Sequence, residues 1–300
     1  MSFAILEKTV PMKVSIGSIG SRRKARTGAV DVKASNGGGD PEKGSICISK
    51  ELFDSPELRE IQVQQSRLRR YLYAVALPSV FAEGIYLVPT AKVIEVSAVI
   101  KEKEKVIQDL VDAFLLTYPE EQEKAKKRLG VLFDSKDYPS VDRIKSCFNI
   151  TTQFIDLGVP GSLESIDTQL FEAEQAKAQK MWQEAADEIR ALLRSSLSDL
   201  VSHMTDRLSE GSDGKPKKFH GTLVSNFNEF LEYFEPRNVT DDVELSALVS
   251  KCRDLLKGVS PDSLRASDDI RAHVQNEMTA LKVEVDKLVA EKPFRKIVLD

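Results

Sequence analysis

Residues 162–209 form a run of 48 residues without glycine or proline, and this run sets the architecture expected for the chain. It is rich in Ala, Leu, Glu, Gln, Lys and Arg, which favour helix strongly, and the nearest helix breakers lie outside it. At a rise of about 1.5 Å per residue, a single helix over the run is about 70 Å long. A helix of that length is typical of a helical hairpin, a coiled coil or an interaction scaffold.

Helix starts and breakers divide the rest of the chain into further helices. Tyr118-Pro119 predicts a break, because proline cannot donate the helical hydrogen bond. Asp241 is the expected N-cap of a later helix, and Gly258 lies where a helix-ending glycine belongs. The predicted helices cover residues 55–77, 90–117, 119–129, 139–148, 222–234, 241–256 and 261–290.

Strand patterns are confined mainly to residues 9–35. Residues 9–19 alternate around Met12, Val14 and Ile16, and residues 29–35 indicate a second short strand. The chain is therefore predicted to be mainly α: an elongated helical hairpin or bundle with one very long helix and a small N-terminal β element. The expected segments are a β and loop segment with a basic patch (1–50), a helical domain (51–158), and a long-helix hairpin or bundle (159–300).

One face of the long run is predicted to be buried. Most of its apolar residues are separated by three- or four-residue steps or their sums, which places them on one side of a helix. The residues predicted to be buried are Leu163, Ile166, Leu170, Met181, Ala185, Ile189, Leu192, Leu200 and Met204.

Charge is unevenly distributed along the chain. The first 50 residues carry nine Lys and Arg against four acidic residues, which leaves 34 basic and 43 acidic residues, a net charge of −9, in the remainder. The densest positive charge is Arg22, Arg23, Lys24 and Arg26, in a predicted basic loop over residues 21–28. Because an acidic body repels polyanions, these side chains are expected to contact the protein's own acidic surface or a partner's rather than nucleic acid.

Cysteine content and hydropathy indicate the compartment. The three cysteines are about a hundred residues apart, which fits a reducing cytoplasm better than a disulfide framework. No apolar stretch reaches the roughly 20 residues of a membrane span. We therefore expect a cytoplasmic protein with no membrane partner.

The sequence contains no motif that would indicate an enzyme. Neither GxxxxGK[ST] nor GxGxxG is present, and the glycine-containing stretches 36–41 and 211–215 indicate solvated loops. The histidines His203, His220 and His273 lie on separate segments, and none belongs to an HExxH motif. No catalytic, cofactor-binding or metal-binding residue is assigned, and the sequence favours a non-enzymatic protein.

Three stretches of the chain resemble a known family. They read VPMKVSIGSIGSRRKA, LPSVFAEGIYLVP and NFNEFLEYFEPRNVTDDVELSALV. They are similar to a phage and mobile-element family of uncharacterised helical proteins, which show a "vSIWSGRKK"-like opening, a glycine-led loop with an aromatic residue and a closing proline, and a long helical C-terminal half. The family's tryptophan corresponds to Gly17 when the alignment follows Val14-Ser15-Ile16, and to Ile19 when it follows the basic run.

The resemblance implies an origin in a phage or an integrated element, and hence the host cytoplasm for a phage-encoded protein. Genes of the family often lie beside those of a MoxR-type ATPase and a von Willebrand A-type protein. The resemblance assigns no catalytic residue.

The sequence leaves two alternative functions open. The first is a non-enzymatic phage or prophage protein that acts through protein–protein interaction, as an ATPase-associated adaptor or an inhibitor of host defence. Its partner is then a MoxR-type ATPase, a host defence protein or a second copy of the chain, docked on the apolar loop 81–89 and the outer face of the long helix. The predicted partner-binding residues are Arg22, Arg23, Lys24, Arg26, Tyr86 and Leu87.

The alternative is a nucleic-acid-associated factor. It would use the N-terminal basic residues together with the arginines of the first predicted long helix, Arg67, Arg69 and Arg70. Its weakness is the acidic remainder of the chain.

Overall fold

The computed structural model describes residues 4–25, 48–78, 84–210 and 217–290. Helical residues, including three short 3-10 turns, make up 72% of this part of the chain. Its α-helices are α1 (Ala4–Lys8), α2 (Pro56–Val75), α3 (Val93–Leu129), α4 (Val141–Cys147), α5 (Ser162–Ile166), α6 (Thr168–Leu208), α7 (Thr222–Arg237), α8 (Val243–Leu256), α9 (Pro261–Ala266) and α10 (Asp268–Ala290). Its strands are β1 (Thr9–Ile16), β2 (Arg22–Lys24), β3 (Ser49–Glu51), β4 (Leu77–Pro78), β5 (Ile85–Pro89) and β6 (Ile150–Phe154).

The mainly α class, the very long helix and the small β element near the N-terminus are confirmed. The predicted strand at 29–35 and the glycine-containing stretches 36–41 and 211–215 lie outside the described residues.

The chain divides into two compact units, each assembled from separate segments. Unit 1 contains Met1–Lys13, Leu72–Ile94 and Phe154–Asp300, and unit 2 contains Val14–Tyr71 and Glu95–Gln153. The predicted segments were consecutive instead. The difference arises because residues 9–13 of the first strand and the segment around β4 and β5 belong to the same unit as the long helix.

Unit 1 is organised around α6, which is 41 residues long. Helix α10 runs antiparallel to it: Arg271 near the start of α10 donates to the Leu208 carbonyl at 3.0 Å, and Arg194 donates to the Leu288 carbonyl near the end of α10 at 3.1 Å. The buried residues of α6 are Ala178, Trp182, Ala185, Ile189, Leu193, Leu197, Val201, Met204 and Leu208.

The predicted stripe of α6 is correct only in part. Ala185, Ile189 and Met204 are buried, whereas Leu163, Leu192 and Leu200 are half-buried, and Ile166, Leu170 and Met181 are exposed. Each step of one residue turns a helix by about 100°, so a stripe chosen one residue early belongs to a neighbouring row. The true row passes through the residues that follow the wrong choices, namely Trp182, Leu193 and Val201.

Capping residues set the helix starts more closely than the sequence indicated. The long helix begins at Thr168 because Asp167 is extended (φ −155°) and its carboxylate accepts the N–H of Leu170 at 3.0 Å, which leaves α5 as a separate short helix. The N-cap of α8 is Asp242 rather than the predicted Asp241, which itself has a positive φ of 52°. The predicted last helix is divided at Ser267 into α9 and α10.

Antiparallel strands complete unit 1. Strand β5 lies between β4 and β1: Thr9 of β1 lies opposite Pro89 of β5, and Leu77 of β4 lies opposite Leu87. Leu77 and Leu87 belong to the same hydrophobic core as Trp182 of α6. The predicted loop at 81–89 is therefore wrong for residues 85–89, and residues 79–83 lie outside the described chain.

Unit 2 contains an aromatic cluster that joins helix α3 to the connecting segments that carry Phe53 and Tyr138. The ring of Phe53 lies 5.7 Å from those of Phe114 and Tyr118, and 5.5 Å from that of Tyr138. Helix α3 runs through Pro119, so the predicted break there is wrong. Pro119 itself is exposed, and the buried rings of Phe114 and Tyr118 hold this helix in place despite the hydrogen bond that proline cannot donate.

Candidate functional site

The N-terminal basic residues lie on a strand rather than in the predicted loop. Arg22, Arg23 and Lys24 form β2, which pairs with β3 so that Arg22 lies opposite Glu51 and Lys24 opposite Ser49. The pairing fixes the backbone of this stretch, and therefore the directions in which its side chains extend.

Two of these cations contact acidic side chains of their own unit, as the charge distribution predicts. Arg22 Nη2 lies 4.0 Å from Glu51 Oε1, and Arg23 Nη1 lies 3.2 Å from Asp137 Oδ1. Asp137 also forms an ion pair with Lys50. Lys24 is exposed, and Arg26 lies outside the described residues.

Tyr86 and Leu87, the other two predicted contact residues, are part of the interior. Tyr86 is 8% exposed and Leu87 is fully buried, because β5 lies between β4 and β1 in the sheet. The ring of Tyr86 also packs edge-on against Tyr73 at 5.8 Å. The prediction that these two residues form an exposed docking loop is therefore wrong.

The arginines of α2 form a basic face in unit 2. Arg59, Val63, Arg67 and Arg70 recur at helical spacing and line one shallow depression. Arg59 pairs with Asp54, and Arg67 Nη1 lies 3.7 Å from Glu60 Oε1. Arg70 forms no ion pair with the described residues. The predicted Arg69 is exposed but does not line the depression.

The beginning of α6 carries exposed apolar side chains. Ile166 at the end of α5 is 77% exposed, and on α6 Leu170 is 45% and Met181 38% exposed. Leu170 and Met181 are eleven residues apart, about three helical turns, so they lie on the same side of the helix. Between them, Glu174 and Lys177 form an exposed ion pair of 2.6 Å. We call Leu170 and Met181, together with Ile166 of the preceding helix α5, the apolar face of α6.

Sequence reasoning missed a second basic site, a cavity in unit 1. It is lined by Lys217, Lys218, Phe219, His220, Arg265 and Arg271. The only local signal was the basic stretch that ends at His220, because Arg265 and Arg271 lie on helices more than forty residues further along. Folding alone brings these side chains together.

Within the described residues, no group of three or more His, Cys, Asp or Glu side chains could hold a metal ion. None of the helices described here combines the length and apolarity that crossing a bilayer requires.

No protein family model, no curated protein and no solved structure matches this chain.

Proposed function

We propose that the chain is a non-enzymatic, cytoplasmic protein of phage or prophage origin that acts by binding a protein partner through the apolar face of α6. The exposure of Ile166, Leu170 and Met181 carries this proposal. Further along α6, apolar side chains are directed into a core, whereas Leu170 and Met181 of α6 and Ile166 of α5 contact water. Covering each of them on a partner is favourable by about 1 kcal/mol.

The charges beside the apolar face indicate the chemistry of the partner. Residues 162–181 contain four carboxylates and two lysines, a net charge of −2. An apolar helix face with acidic flanks is complementary to an amphipathic helix with basic flanks. We therefore propose such a helix as the occupant. The resemblance adds two classes of protein that could carry it, a MoxR-type ATPase and a host defence protein.

A photo-cross-linking residue at Ala173, which is exposed on α6, tests this proposal. Introduced in the cells that produce the protein, it should capture one predominant partner, which mass spectrometry identifies. Binding is then measured with the two purified proteins. Leu170→Glu combined with Met181→Glu should weaken binding about tenfold or more, because each change places a charge in an apolar contact.

Val283→Glu is the matched control, because Val283 is 54% exposed on a different helix, α10. It should leave the affinity unchanged. Equal losses from the control and the α6 variant would contradict docking at α6. Capture of a second copy of the chain would show that the apolar face of α6 mediates self-association rather than binding of a different protein.

Nucleic-acid binding is a second candidate function, and the arginine face of α2 supports it. Arg59, Arg67 and Arg70 line one depression, whereas Arg22 and Arg23 are directed to carboxylates of their own unit. Affinity for DNA or RNA would then fall steeply with salt and decrease in Arg70→Glu, because phosphate contacts release counterions. If neither DNA nor RNA binds at low salt, this alternative is ruled out.

A further inference from the structure

The basic cavity of unit 1 has the size and charge of a ligand site. It has a volume of about 530 Å³, within the range of small-molecule sites, and lies where the end of α6, the segment 217–221 and helices α9 and α10 meet. Of the six described residues that line it, five are basic and the sixth is Phe219.

Arg271 is the most buried of these basic residues, with 9% of its surface exposed. Its Nε donates to the Leu208 carbonyl at 3.0 Å, and its Nη2 donates to the carbonyls of Arg207 and Lys217 at 3.1 and 2.8 Å. Among the described residues, no carboxylate forms an ion pair with it. The three carbonyls satisfy hydrogen bonds, but they do not neutralise the charge of a guanidinium, which stays cationic in proteins.

The cavity has more permanent cations than carboxylates. Lys217 Nζ lies 2.7 Å from Asp206 Oδ1, and Arg265 Nη1 lies 2.9 Å from Asp262 Oδ1. The hydrogen bond from Lys217 lowers the pKa of Asp206 below its ordinary value. Lys218 is exposed and forms no ion pair within the described chain. Lys218 and Arg271 therefore remain as two cations for which the described residues supply no counter-charge.

Phe219 holds both guanidinium groups in position. The Cζ atoms of Arg265 and Arg271 lie over its ring, 5.2 and 5.7 Å from the centroid. Arg265 also donates to the Phe219 carbonyl at 3.4 Å. These cation–π contacts order the two donors before a ligand arrives, which reduces the entropic cost of binding.

A purely structural role explains Arg271 but not the whole cavity. The carbonyls of Arg207 and Leu208 are among those that a helix end leaves unbonded, so Arg271 serves as a C-terminal clamp for α6. That clamp does not require Lys218, His220 and Arg265 to surround the same open space.

We propose that this cavity binds the phosphoryl group of a small ligand of about nucleotide size. A phosphate dianion matches the two cations that lack counter-charges, and its oxygens accept several hydrogen bonds from guanidinium and ammonium groups. This site is separate from the apolar face of α6 and does not depend on the protein partner.

Isothermal titration calorimetry of the full chain tests the proposal, with inorganic phosphate, tripolyphosphate, ATP and adenosine as probes. Tripolyphosphate and ATP should bind with one site per chain, and adenosine should not. Lys218→Glu should lower their affinity about tenfold or more, because it removes one charge-assisted contact and adds a repulsive charge. The variant should fold normally, because Lys218 is exposed.

Lys257→Glu is the matched control, because Lys257 is exposed at the end of α8, outside the cavity lining. It should bind tripolyphosphate and ATP as the unmodified chain does. Equal affinities for tripolyphosphate and ATP would show that the site recognises the phosphate chain alone. A higher affinity for ATP would show that the site also contacts the nucleoside. The proposal is overturned by equal binding of adenosine, by equal losses in the two variants, by binding of single-stranded DNA alone, or by no binding at low salt.

Discussion

Replacement of Arg194 should destabilise unit 1 strongly, because this side chain joins three helices. Its Nε and Nη2 donate to Asp242 Oδ2 and Oδ1 at 2.6 and 3.0 Å, and its Nη1 donates to the Leu288 carbonyl at 3.1 Å. The side chain of Arg194 is 12% exposed and that of Asp242 only 2%. Arg194→Leu leaves the Asp242 carboxylate buried without this counter-ion. We expect the free energy of unfolding to fall by about 3–5 kcal/mol.

The double variant Arg194→Leu with Asp242→Asn should cost less than the single variant, about 1–2 kcal/mol. It removes both charges, and asparagine can still cap α8 by accepting the N–H of Leu245. Urea unfolding followed by tryptophan fluorescence measures both losses, because the single tryptophan, Trp182, is buried in the core of unit 1. A loss below about 1 kcal/mol for Arg194→Leu, or a double variant as unstable as the single one, would refute the reasoning.

Three further predictions concern pH, thiol reactivity and close packing. Burial raises the pKa of Asp242, but hydrogen bonds to its ionised form, from Arg194 foremost, outweigh this and set it below the ordinary value. Its contribution to the free energy of unfolding is therefore complete above about pH 4 and is lost as the pH falls towards the lowered pKa. In acid denaturation, Asp242→Asn should not show this loss of stability. Burial raises the pKa of Cys252 to about 12, so iodoacetamide at neutral pH should modify this thiol only after unfolding, as peptide mass spectrometry will show. Gly17→Ala should lower the stability of unit 2 by about 1–3 kcal/mol in thermal unfolding, because its Cβ would lie 2.2 Å from the Cys147 carbonyl oxygen.

Local chemistry made much of the helical architecture predictable. Ser55 followed by Pro56 predicted the start of α2, where the Ser55 hydroxyl accepts the N–H of Leu58 at 3.3 Å. Gly258 was expected at a helix end, and it has the positive φ of 77° that glycine adopts readily. The absence of breakers predicted the very long helix, because propensity summed over that many residues outweighs any single choice.

Features that depend on tertiary contacts were not predictable in the same way. The start of α6 depends on the N-cap Asp167. In the sequence, the helix breakers Pro160-Gly161 indicate a helix start more strongly than Asp167 does. The burial of β5 depends on its central position in the sheet, which the sequence around Tyr86 does not encode. The basic cavity depends on Arg271 reaching the end of α6, a contact across more than sixty residues.

Amide hydrogen exchange in α6, measured with and without the partner captured by cross-linking, determines whether the apolar face is the docking surface. The proposal predicts slower exchange across residues 168–181 in the complex, because the partner helix covers Leu170 and Met181. Exchange around Ile189 and Leu193 should not change, because these side chains are already buried in the core of unit 1. Unchanged exchange at 168–181 with saturating partner would contradict the proposal.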